Sequence, residues 1–330
     1  MYYIIGSMKH KALFFGILAL GFGVFTLAQF LLGTTPEAAA FKKSGEAAFI
    51  EDQTSLREAE KEKIVFVFGG DVMLGRMVNY ELKRKGDYGI PFQNIKDVWQ
   101  DAAVVMVNLE SPLTEDCPVR NDATMILCAE TGLAGTLREA GVNIVSFANN
   151  HYLDYGNKGW QDTNKYLGQA GIGVVNQGQA FKKEIQGREI GFLSWNLTWD
   201  NVFEDELRFK IQDLGKQVDF LVVNYHWGDE YQDYPNEQQK RIAHLSIEAG
   251  ADLIIGHHPH HAQTVEEYQG RPIFYSLGNL IFDQLWSEKT RQGMLVRVEW
   301  QPIRQGSGQA VSYKTFSTRV DNWVKVRVVD

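Results

Sequence analysis

The chain alternates between short apolar runs and segments in which apolar residues recur at helical spacing. At 137–147, 167–175 and 247–256, a helix-like pattern ends in Ala-Gly and a β-branched apolar run follows. Glycine often takes the left-handed conformation that closes a helix before a buried strand. Each of these segments therefore predicts a helix followed directly by a strand.

Further apolar runs predict buried strands, and two mixed patterns predict amphipathic helices. The strands are expected at 64–71, 103–108, 190–195, 219–225 and 272–278, and the helices at 157–169 and 236–249. This alternating order is typical of a layered α/β fold with a largely parallel sheet centre. After Gly293 only strand patterns follow, at 294–300, 311–320 and 324–329, which predicts an antiparallel completion of the sheet.

The N-terminal part has a different character. Residues 12–33 carry no charge and are long enough to cross a hydrocarbon core as a helix. Basic residues precede this segment and an acidic residue follows it, so the positive-inside tendency places residues 1–11 in the cytoplasm and the rest outside. The alternative is a cleaved signal peptide with Ala-Ala-Ala at 38–40 as its processing site. Residues 34–62 are polar and alanine-rich and predict a linker, which leaves 63–330 as the folded domain.

Composition narrows the classes of function. The hydrophobic fraction of 44% is sufficient for a globular core, and the net charge is −8. Without a basic stripe, a nucleic-acid partner is not expected. An anionic substrate would need local positive charge, such as a bound metal ion. The chain also has no nucleotide-binding glycine motif, so ATP-driven bond formation would have to lie in partner proteins.

Both cysteines lie in one loop-like segment, at Cys117 and Cys128. In an extracytoplasmic protein this placement favours a local disulfide, and the alternative is a pair of free buried thiols. No histidine lies beside them, which argues against a zinc site.

Residues with ligand chemistry follow the predicted strands in succession. In open α/β sheets, reactive groups collect beyond the carboxyl ends of the strands. Six successive ends carry, in order, Asp71; Asn108 and Glu110; Asn149, Asn150 and His151; His226, Asp229 and Glu230; His257, His258, His260 and His261; and Ser276, Asn279 and Asp283. Each alone has an ordinary reading as a turn residue, a helix cap or a buried histidine. Histidine, however, is not a residue that turns require. The combination of imidazole, carboxylate and amide oxygen suits one or two ions of zinc, manganese or iron.

The segment His258-Pro259-His260 holds two imidazoles two residues apart, with a proline that restricts the backbone between them. Such a pair can serve two neighbouring metal ions. Either His257 or His261 could replace one member of the pair, and at least one of the four is expected to orient a ligand instead of binding metal.

Six ordered motifs carry a resemblance to a known family. They are GGDVMLGR, NLESPLT, ANNHYLDYG, NYHWGDEY, GHHPHHAQ and YSLGNLIFD, spread over most of residues 63–283. The sequence resembles the CapA family of capsule synthesis, which is associated with poly-γ-glutamate production. That family is similar in turn to the calcineurin-like metallophosphoesterases. The resemblance implies a four-layer α/β/β/α sandwich with a two-metal site on the loops, here behind an N-terminal transmembrane helix.

The resemblance also implies roles for individual residues. The metal ligands would be Asp71 for the first ion, Glu110 as the bridge, Asn150 and His226 for the second ion, and His258 and His260 with one ion each. His151 would face the substrate as a general acid. Residues expected to support these ligands are Asn108, Asn149, His257, His261, Asp229, Glu230 and Asn279.

Three positions depart from the superfamily pattern. Met73 stands where the superfamily has a histidine, and a thioether is a poor ligand for a hard ion. Glu110 replaces an aspartate at the bridging position, and Asn149 replaces a glycine. Phosphoesterase activity therefore does not follow automatically from the resemblance.

The sequence thus predicts a single-pass, extracytoplasmic protein of capsule polymer synthesis or export with a metal site. Its expected partners are the membrane, other polymer-synthesis membrane proteins, and an anionic polymer or a phosphoester substrate. The alternative is a metal-dependent phosphoesterase or other hydrolase acting on a cell-envelope substrate. A third reading is a carbohydrate- or peptide-binding module with Trp195 and Trp199 in a groove, against which stands simple packing of these rings in a loop core.

Overall fold

The strands and helices of this chain are arranged in two mixed sheets with helices outside them. The computed structural model describes residues 63–198, 203–302 and 309–329. The strands of this part are β1 (Ile64–Val72), β2 (Val104–Leu109), β3 (Ile144–Phe147), β4 (Gly173–Asn176), β5 (Phe181–Ile185), β6 (Arg188–Asn196), β7 (Phe220–His226), β8 (Leu253–His257), β9 (Val265–Tyr268), β10 (Arg271–Phe274), β11 (Asn279–Ile281), β12 (Gln292–Pro302), β13 (Gln309–Asp321) and β14 (Lys325–Val329). The helices are α1 (Arg76–Lys85), α2 (Lys96–Trp99), α3 (Leu133–Glu139), α4 (Gly156–Gln169), α5 (Glu204–Gly215) and α6 (Glu237–Glu248).

The first sheet has the strand order β14-β13-β12-β1-β2-β3-β4, with β11 added beside the end of β1. Strands β1 to β4 run parallel, whereas β12 to β14 are antiparallel. The second sheet has the order β5-β6-β7-β8-β10-β9, with a parallel centre and an antiparallel strand at each edge. The predicted parallel centre and the predicted antiparallel completion after Gly293 are both confirmed.

The two sheets pack face to face through an aromatic and aliphatic layer. Phe66 and Phe68 of β1 and Met106 of β2 meet Phe192 of β6 and Phe220 of β7 in one buried cluster. The rings of Phe66 and Phe220 stack with centroids 5.4 Å apart. Full burial of such a side chain stabilises the fold by about 1.5–3 kcal/mol. Both faces of each central strand are buried, which explains why these strands read as continuous apolar runs.

The remaining faces of the sheets are covered by helices. Leu82 of α1, Leu137 of α3 and Leu167 of α4 belong to the cluster on the first sheet. Ile211 of α5 and Ile242 of α6 belong to the cluster on the second. The order of layers is therefore helix, sheet, sheet, helix, and the strand ends that carry polar residues are supported from both sides.

The predicted helix–strand units are confirmed in detail. Gly141, Gly171 and Gly250 have φ values of 103°, 72° and 111°, and each follows a helix and precedes a strand. This left-handed conformation suits glycine because it lacks a Cβ atom. The predicted helices at 157–169 and 236–249 correspond to α4 and α6.

The predicted strand at 272–278 is wrong in its second half. Strand β10 ends at Phe274 in the second sheet, and β11 begins at Asn279 beside β1 in the first. The chain crosses between the sheets in this interval, so residues 275–278 connect two strands instead of continuing the first one. At the crossing, a Cβ atom on Gly70 would lie 1.9 Å from the carbonyl oxygen of Gly278, so this close approach requires glycine at position 70.

Several expectations concern parts outside the described residues. The predicted membrane segment at 12–33, the predicted linker at 34–62 and Trp199 all lie there. Between residues 63 and 329, in the ranges that the structure describes, no helix combines the length and the apolar character needed to span a membrane.

Candidate metal centre

The centre is built on the adjacent ends of β1 and β2. These strands are parallel neighbours in which Asp71 lies opposite Asn108, and both side chains are fully buried. The Asn108 Nδ2 atom lies 2.9 Å from Asp71 Oδ1, 3.1 Å from Glu110 Oε1 and 3.2 Å from His226 Nδ1. An amide nitrogen has two hydrogens, so Asn108 can serve only two of these three acceptors at once.

His226 joins this group from the other sheet. It is the last residue of β7, and its Nδ1 atom lies 3.7 Å from Glu110 Oε1. Asp71, Glu110 and His226 each offer a ligand atom, and these atoms lie within 4.8 Å of one another. The two packed sheets therefore bring three predicted ligands together over long sequence distances.

The electrostatics of the centre favour a bound cation. Burial and the neighbouring charge of Asp71 raise the pKa of Glu110 well above its usual value. Burial also acts to raise the pKa of Asp71, but hydrogen bonding and charge from His257 and His260 outweigh it and lower the pKa. Burial and the nearby His258 lower the pKa of His226. Two buried carboxyl groups thus lie beside His226, whose lowered pKa favours the neutral imidazole that can bind a metal ion.

The histidine segment after β8 surrounds Asp71. His257 Nδ1 lies 3.2 Å from Asp71 Oδ1, and His260 Nδ1 lies 3.3 Å from Asp71 Oδ2. His260 Nδ1 is also 3.0 Å from the side-chain oxygen of Asn279. The ring of His258 is instead 4.7 Å from that of His226, and burial and His260 lower the pKa of His258 to about 4. Because His257 lies this close to Asp71, His257 remains a candidate metal ligand.

Backbone strain is concentrated in the same segment. His258 and His260 have φ values of 97° and 57°, which non-glycine residues rarely adopt. The backbone N–H of His258 donates to Asp71 Oδ2 at 3.3 Å, which helps to hold this conformation. Such strain persists only when the surroundings over-determine it, and it clusters at functional sites.

The loop after β3 supplies the next two residues. Asn150 Oδ1 lies 2.9 Å from His226 Nε2, so Asn150 contacts the histidine with which it is predicted to share a metal ion. Asn149 is buried and donates from Nδ2 to the carbonyl oxygen of Leu109 at 2.8 Å. Its amide thus ties this loop to the end of β2, a contact that the glycine of the superfamily pattern lacks.

His151 lies at the edge of the centre and is oriented by a carboxylate that the sequence reading missed. Its Nδ1 atom is 2.8 Å from Asp154 Oδ2, and the backbone N–H of Leu127 donates to the same oxygen at 2.6 Å. The signal for Asp154 was present, since it lies three residues after His151 in the motif ANNHYLDYG.

Some predicted supporting residues lie apart from the cluster. Asp229 is exposed, and its carboxylate accepts a hydrogen bond from Asn236, the N-cap residue of α6, at 2.8 Å. His261 Nδ1 lies 3.1 Å from Asp233 Oδ1. Asp229 therefore supports the start of a helix, while Glu230 lines the neighbouring cavity.

Met73 lies two residues after Asp71, where the resemblance led us to expect a histidine. It is fully buried in the cluster between the first sheet and its helices. Its sulfur accepts a hydrogen bond from the backbone N–H of Gly75 at 3.1 Å. Met73 is thus part of the core, and an imidazole near Asp71 is supplied by the histidine segment instead.

A cavity of about 350 Å³ adjoins the centre, with His151 and His260 in its lining. One wall comes from the loop that the Cys117–Cys128 disulfide closes, which is the pairing that the sequence favoured. Arg76 anchors this loop by donating from Nη1 to the carbonyl oxygen of Thr124 at 3.1 Å. Sequence reasoning did not single out Arg76, although it closes the motif GGDVMLGR.

Trp195 packs in the core. It is 4% exposed, and its ring stacks on that of Tyr225 with centroids 5.9 Å apart. This placement agrees with the packing alternative and not with an open aromatic groove at Trp195.

The donor set fits a divalent ion. Glu110 Oε2 and His258 Nδ1 are buried without a hydrogen-bond partner. Buried polar atoms are ordinarily satisfied, so unpaired oxygen and nitrogen atoms around two carboxyl groups indicate a place for a cation.

Fold and site together define a layered α/β protein with a candidate divalent-metal centre at its strand ends. Residues 65–284 match the model of the family described as bacterial capsule synthesis protein PGA_cap. The chain belongs to this family.

Two curated relatives agree with this assignment. The chain is 32% identical over 273 residues to the capsule biosynthesis protein CapA of Bacillus anthracis, covering 73% of this chain and 65% of the relative. It is also 32% identical over 264 residues to the PGA biosynthesis protein CapA of Bacillus subtilis, covering 73% and 68%. The chain thus spans about two thirds of the length of these relatives. Among solved structures, a phosphatase from Mycoplasma pneumoniae is similar at 14% identity with a TM-score of 0.45, covering 77% of this chain and 94% of that one.

Proposed function

We propose that this chain acts in the synthesis or export of a capsule polymer of the poly-γ-glutamate type, with a divalent metal bound at its buried centre. The convergence of Asp71, Glu110 and His226 within 4.8 Å carries the metal assignment. Family membership, and relatives at 32% identity named for capsule and PGA biosynthesis, support the physiological role.

Asp71, Glu110 and His226, together with Asn150, His258 and His260, would hold one or two ions. Imidazole, carboxylate and amide oxygen together favour manganese, zinc or iron. A bound ion of this kind supplies an activated water and stabilises developing negative charge on an ester oxygen.

The chain's own residues position the reacting groups. Asp154 accepts a hydrogen bond from His151 Nδ1, which fixes the ring and leaves Nε2 to hold or donate a proton in the cavity. Asn108 Nδ2 contacts one oxygen of each buried carboxyl group and helps to keep these oxygens in place.

A second candidate function is hydrolysis of a phosphoester in the cell envelope. The pair formed by His151 and Asp154 favours it, because an oriented imidazole beside a metal cluster is suited to protonating a leaving group. The order of layers, with ligands at the strand ends, supports the metallophosphoesterase type of fold.

The sequence and the disulfide support a position of the folded domain outside the cytoplasm. A helix at 12–33 would anchor the domain outside the cytoplasm, and the bond between Cys117 and Cys128 is typical of an oxidising compartment. Other polymer-synthesis membrane proteins would supply the ATP-dependent chemistry for which this chain has no motif.

The test uses the full chain purified in mild detergent, stripped of metal and then exposed in turn to manganese, zinc and iron. Mass spectrometry of retained metal should show at least one ion per chain. Glu110→Gln and His226→Ala should each lower this ratio strongly. His244→Ala is the matched control, since His244 pairs with Glu266 and stacks on Tyr268 outside the cluster.

Equal retention by the wild type and by His226→Ala would refute the metal centre. In cells, the amount of polymer is measured for His226→Ala and His260→Ala. If neither substitution changes it, the chain acts as a scaffold of the synthase and not as a catalyst.

A further inference from the structure

The cavity beside the metal centre has an aromatic wall that the proposed function does not yet use. Tyr231, Trp286 and Trp323 line it, and their exposed fractions are 36%, 63% and 36%. The rings of Tyr231 and Trp286 meet edge to face with centroids 4.8 Å apart. An exposed tryptophan supported by a second ring offers a flat apolar platform next to the polar centre.

This wall is tied to the centre by hydrogen bonds. His260 Nδ1 is 3.0 Å from Asn279 Oδ1, Asn279 donates to Gln284 Oε1 at 3.1 Å, and Gln284 donates to the hydroxyl of Tyr231 at 3.2 Å. The Tyr231 ring is also 6.0 Å from that of His260. The position of the platform is therefore set relative to the proposed metal ligands.

The backbone of Tyr231 is strained in the same way as the histidine segment. Its φ is 62°, and its N–H donates at 2.8 Å to the carbonyl oxygen of Pro259, between two histidines that also have positive φ. Strain of this kind persists where the surroundings impose it, and it concentrates in ligand sites. The strained backbone of Tyr231 therefore fits a residue of a ligand site.

The charges of the cavity indicate which ligand it accepts. Among its described lining residues, Arg76 is the cation, and Asp122, Glu230 and Asp283 carry carboxylates. Asp122 is paired at 3.1 Å with Arg120, which lies outside the lining, so the local balance is two positive against three negative charges. The guanidinium of Arg76 is moreover paired through two nitrogens with Asp283. A polyanionic strand would meet like charge here and would gain no unpaired cation.

Carboxylates and amide groups beside an aromatic platform suit a polyhydroxyl ligand. Hydroxyl groups donate to carboxylate oxygens in charge-assisted hydrogen bonds, and the apolar face of a sugar ring can lie on an indole. The volume of about 350 Å³ is also within the usual range of ~300–1,000 Å³ for small-ligand pockets.

We propose that this cavity binds an uncharged sugar ring, stacked on Trp286 and hydrogen-bonded by Asp122 and Glu230. The substrate would then present a sugar to the cavity and an anionic ester group to the metal centre, and the poly-γ-glutamate strand itself would not occupy the cavity. This assignment of the substrate class rests on the metal centre proposed above.

Isothermal titration calorimetry on the full chain in detergent tests the assignment. The probes are trisaccharides of glucose, galactose, mannose and N-acetylglucosamine, the corresponding monosaccharide 1-phosphates, a γ-linked glutamate oligomer, and the nucleotides AMP and UMP. We expect at least one sugar to bind, with affinity reduced at least about tenfold by Trp286→Ala. Phe209→Ala is the matched control, since Phe209 is 68% exposed on α5 and does not line the cavity, and it should leave the affinity unchanged.

The assignment is overturned if no sugar binds, or if Trp286→Ala and Phe209→Ala behave alike. It is also overturned if the glutamate oligomer or a nucleotide binds more tightly than every sugar and sugar phosphate. In metal-loaded protein the 1-phosphates should bind more tightly than the parent sugars, and chelation should abolish this preference. A preference that survives chelation would contradict the placement of the ester at the metal centre.

A charge variant separates this inference from the proposed function. Asp122→Asn combined with Glu230→Gln should weaken sugar binding severalfold and strengthen binding of the glutamate oligomer. Metal content is measured on the same samples. Retained metal without binding of any sugar overturns the sugar assignment alone. Sugar binding that depends on Trp286 in a chain that retains no metal overturns the metal centre alone.

Discussion

Replacing Asn108 by aspartate probes the electrostatic balance of the centre directly. The substitution exchanges the amide nitrogen for a carboxylate oxygen 2.9 Å from Asp71 Oδ1 and 3.1 Å from Glu110 Oε1. The shape of the side chain is almost unchanged, while a third carboxyl group enters a fully buried cluster. The effect on the free energy of unfolding should therefore report on charge more than on packing.

The expected loss in the free energy of unfolding is the smaller of two costs. Two unit charges 2.9 Å apart repel by about 6 kcal/mol at an effective dielectric constant of about 20. Proton uptake removes the repulsion at a cost of about 4 kcal/mol at pH 7 and about 1.5 kcal/mol at pH 5, for a group with a usual pKa of about 3.9. Protonation is the smaller cost, so we expect the free energy of unfolding to fall by about 4 kcal/mol at pH 7 and by about 1.5 kcal/mol at pH 5. The folded state then binds more protons than the unfolded state, and stability must fall as the pH rises.

Urea unfolding of the full chain in detergent, with a chelator present, measures this loss at pH 5 and pH 7. Asn108→Leu is the matched control, because it removes the same hydrogen bonds without adding charge and should show no such pH dependence. Added manganese or zinc should recover more stability in Asn108→Asp than in Asn108→Leu, because only in the aspartate variant does the ion also offset an added buried charge. If the two variants lose the same stability at both pH values and metal rescues neither, the reasoning about a compact charged centre is refuted.

Three further predictions follow from individual contacts. Because burial and Asp71 raise the pKa of Glu110, a metal ion must displace a proton there, and the affinity for the metal ion should rise with pH. Calorimetry in buffers of different ionisation enthalpy should show that metal binding releases a proton, and binding without proton release would contradict the prediction. Replacing Cys117 and Cys128 together by serine should lower the free energy of unfolding by about 3 kcal/mol in denaturant titrations, and an unchanged midpoint would argue against a stabilising disulfide. Asn236→Ala removes the capping box of α6 with Gln239 and should cost about 1 kcal/mol in the same assay, whereas Asn236→Ser should restore most of it.

Most of the central strands and both amphipathic helices could be predicted because their signals are local. The period of the apolar pattern and the Ala-Gly endings depend only on near neighbours, and the three glycines at 141, 171 and 250 do adopt positive φ. The run at 272–278 could not be divided correctly, since only its first half is a strand and its second half leads the chain to the other sheet. Only the packing of the two sheets determines where the chain leaves one sheet and enters the other.

The candidate site was predictable in its residue types and less so in its contacts. Asp71, Glu110 and His226 were recognised from the strand ends, and the structure brings them together. Asp229 satisfied the same rule, yet its carboxylate accepts a hydrogen bond from Asn236, the N-cap residue of α6, because a polar residue shortly after a strand can equally support the next turn. Arg76 and Tyr231 were missed, since their partners lie far away in the sequence.

The sequence by itself determined the layered α/β class, the strand ends that carry ligand chemistry and the membership of the capsule synthesis family. The tertiary structure alone decided that Asn108 lies between Asp71 and Glu110, that Met73 belongs to the core and that aromatic rings stand beside the centre. The physical reason is distance along the chain. Asn108 meets His226 across 118 positions and Arg76 meets Asp283 across 207, and no local pattern encodes the packing of two sheets that makes such contacts.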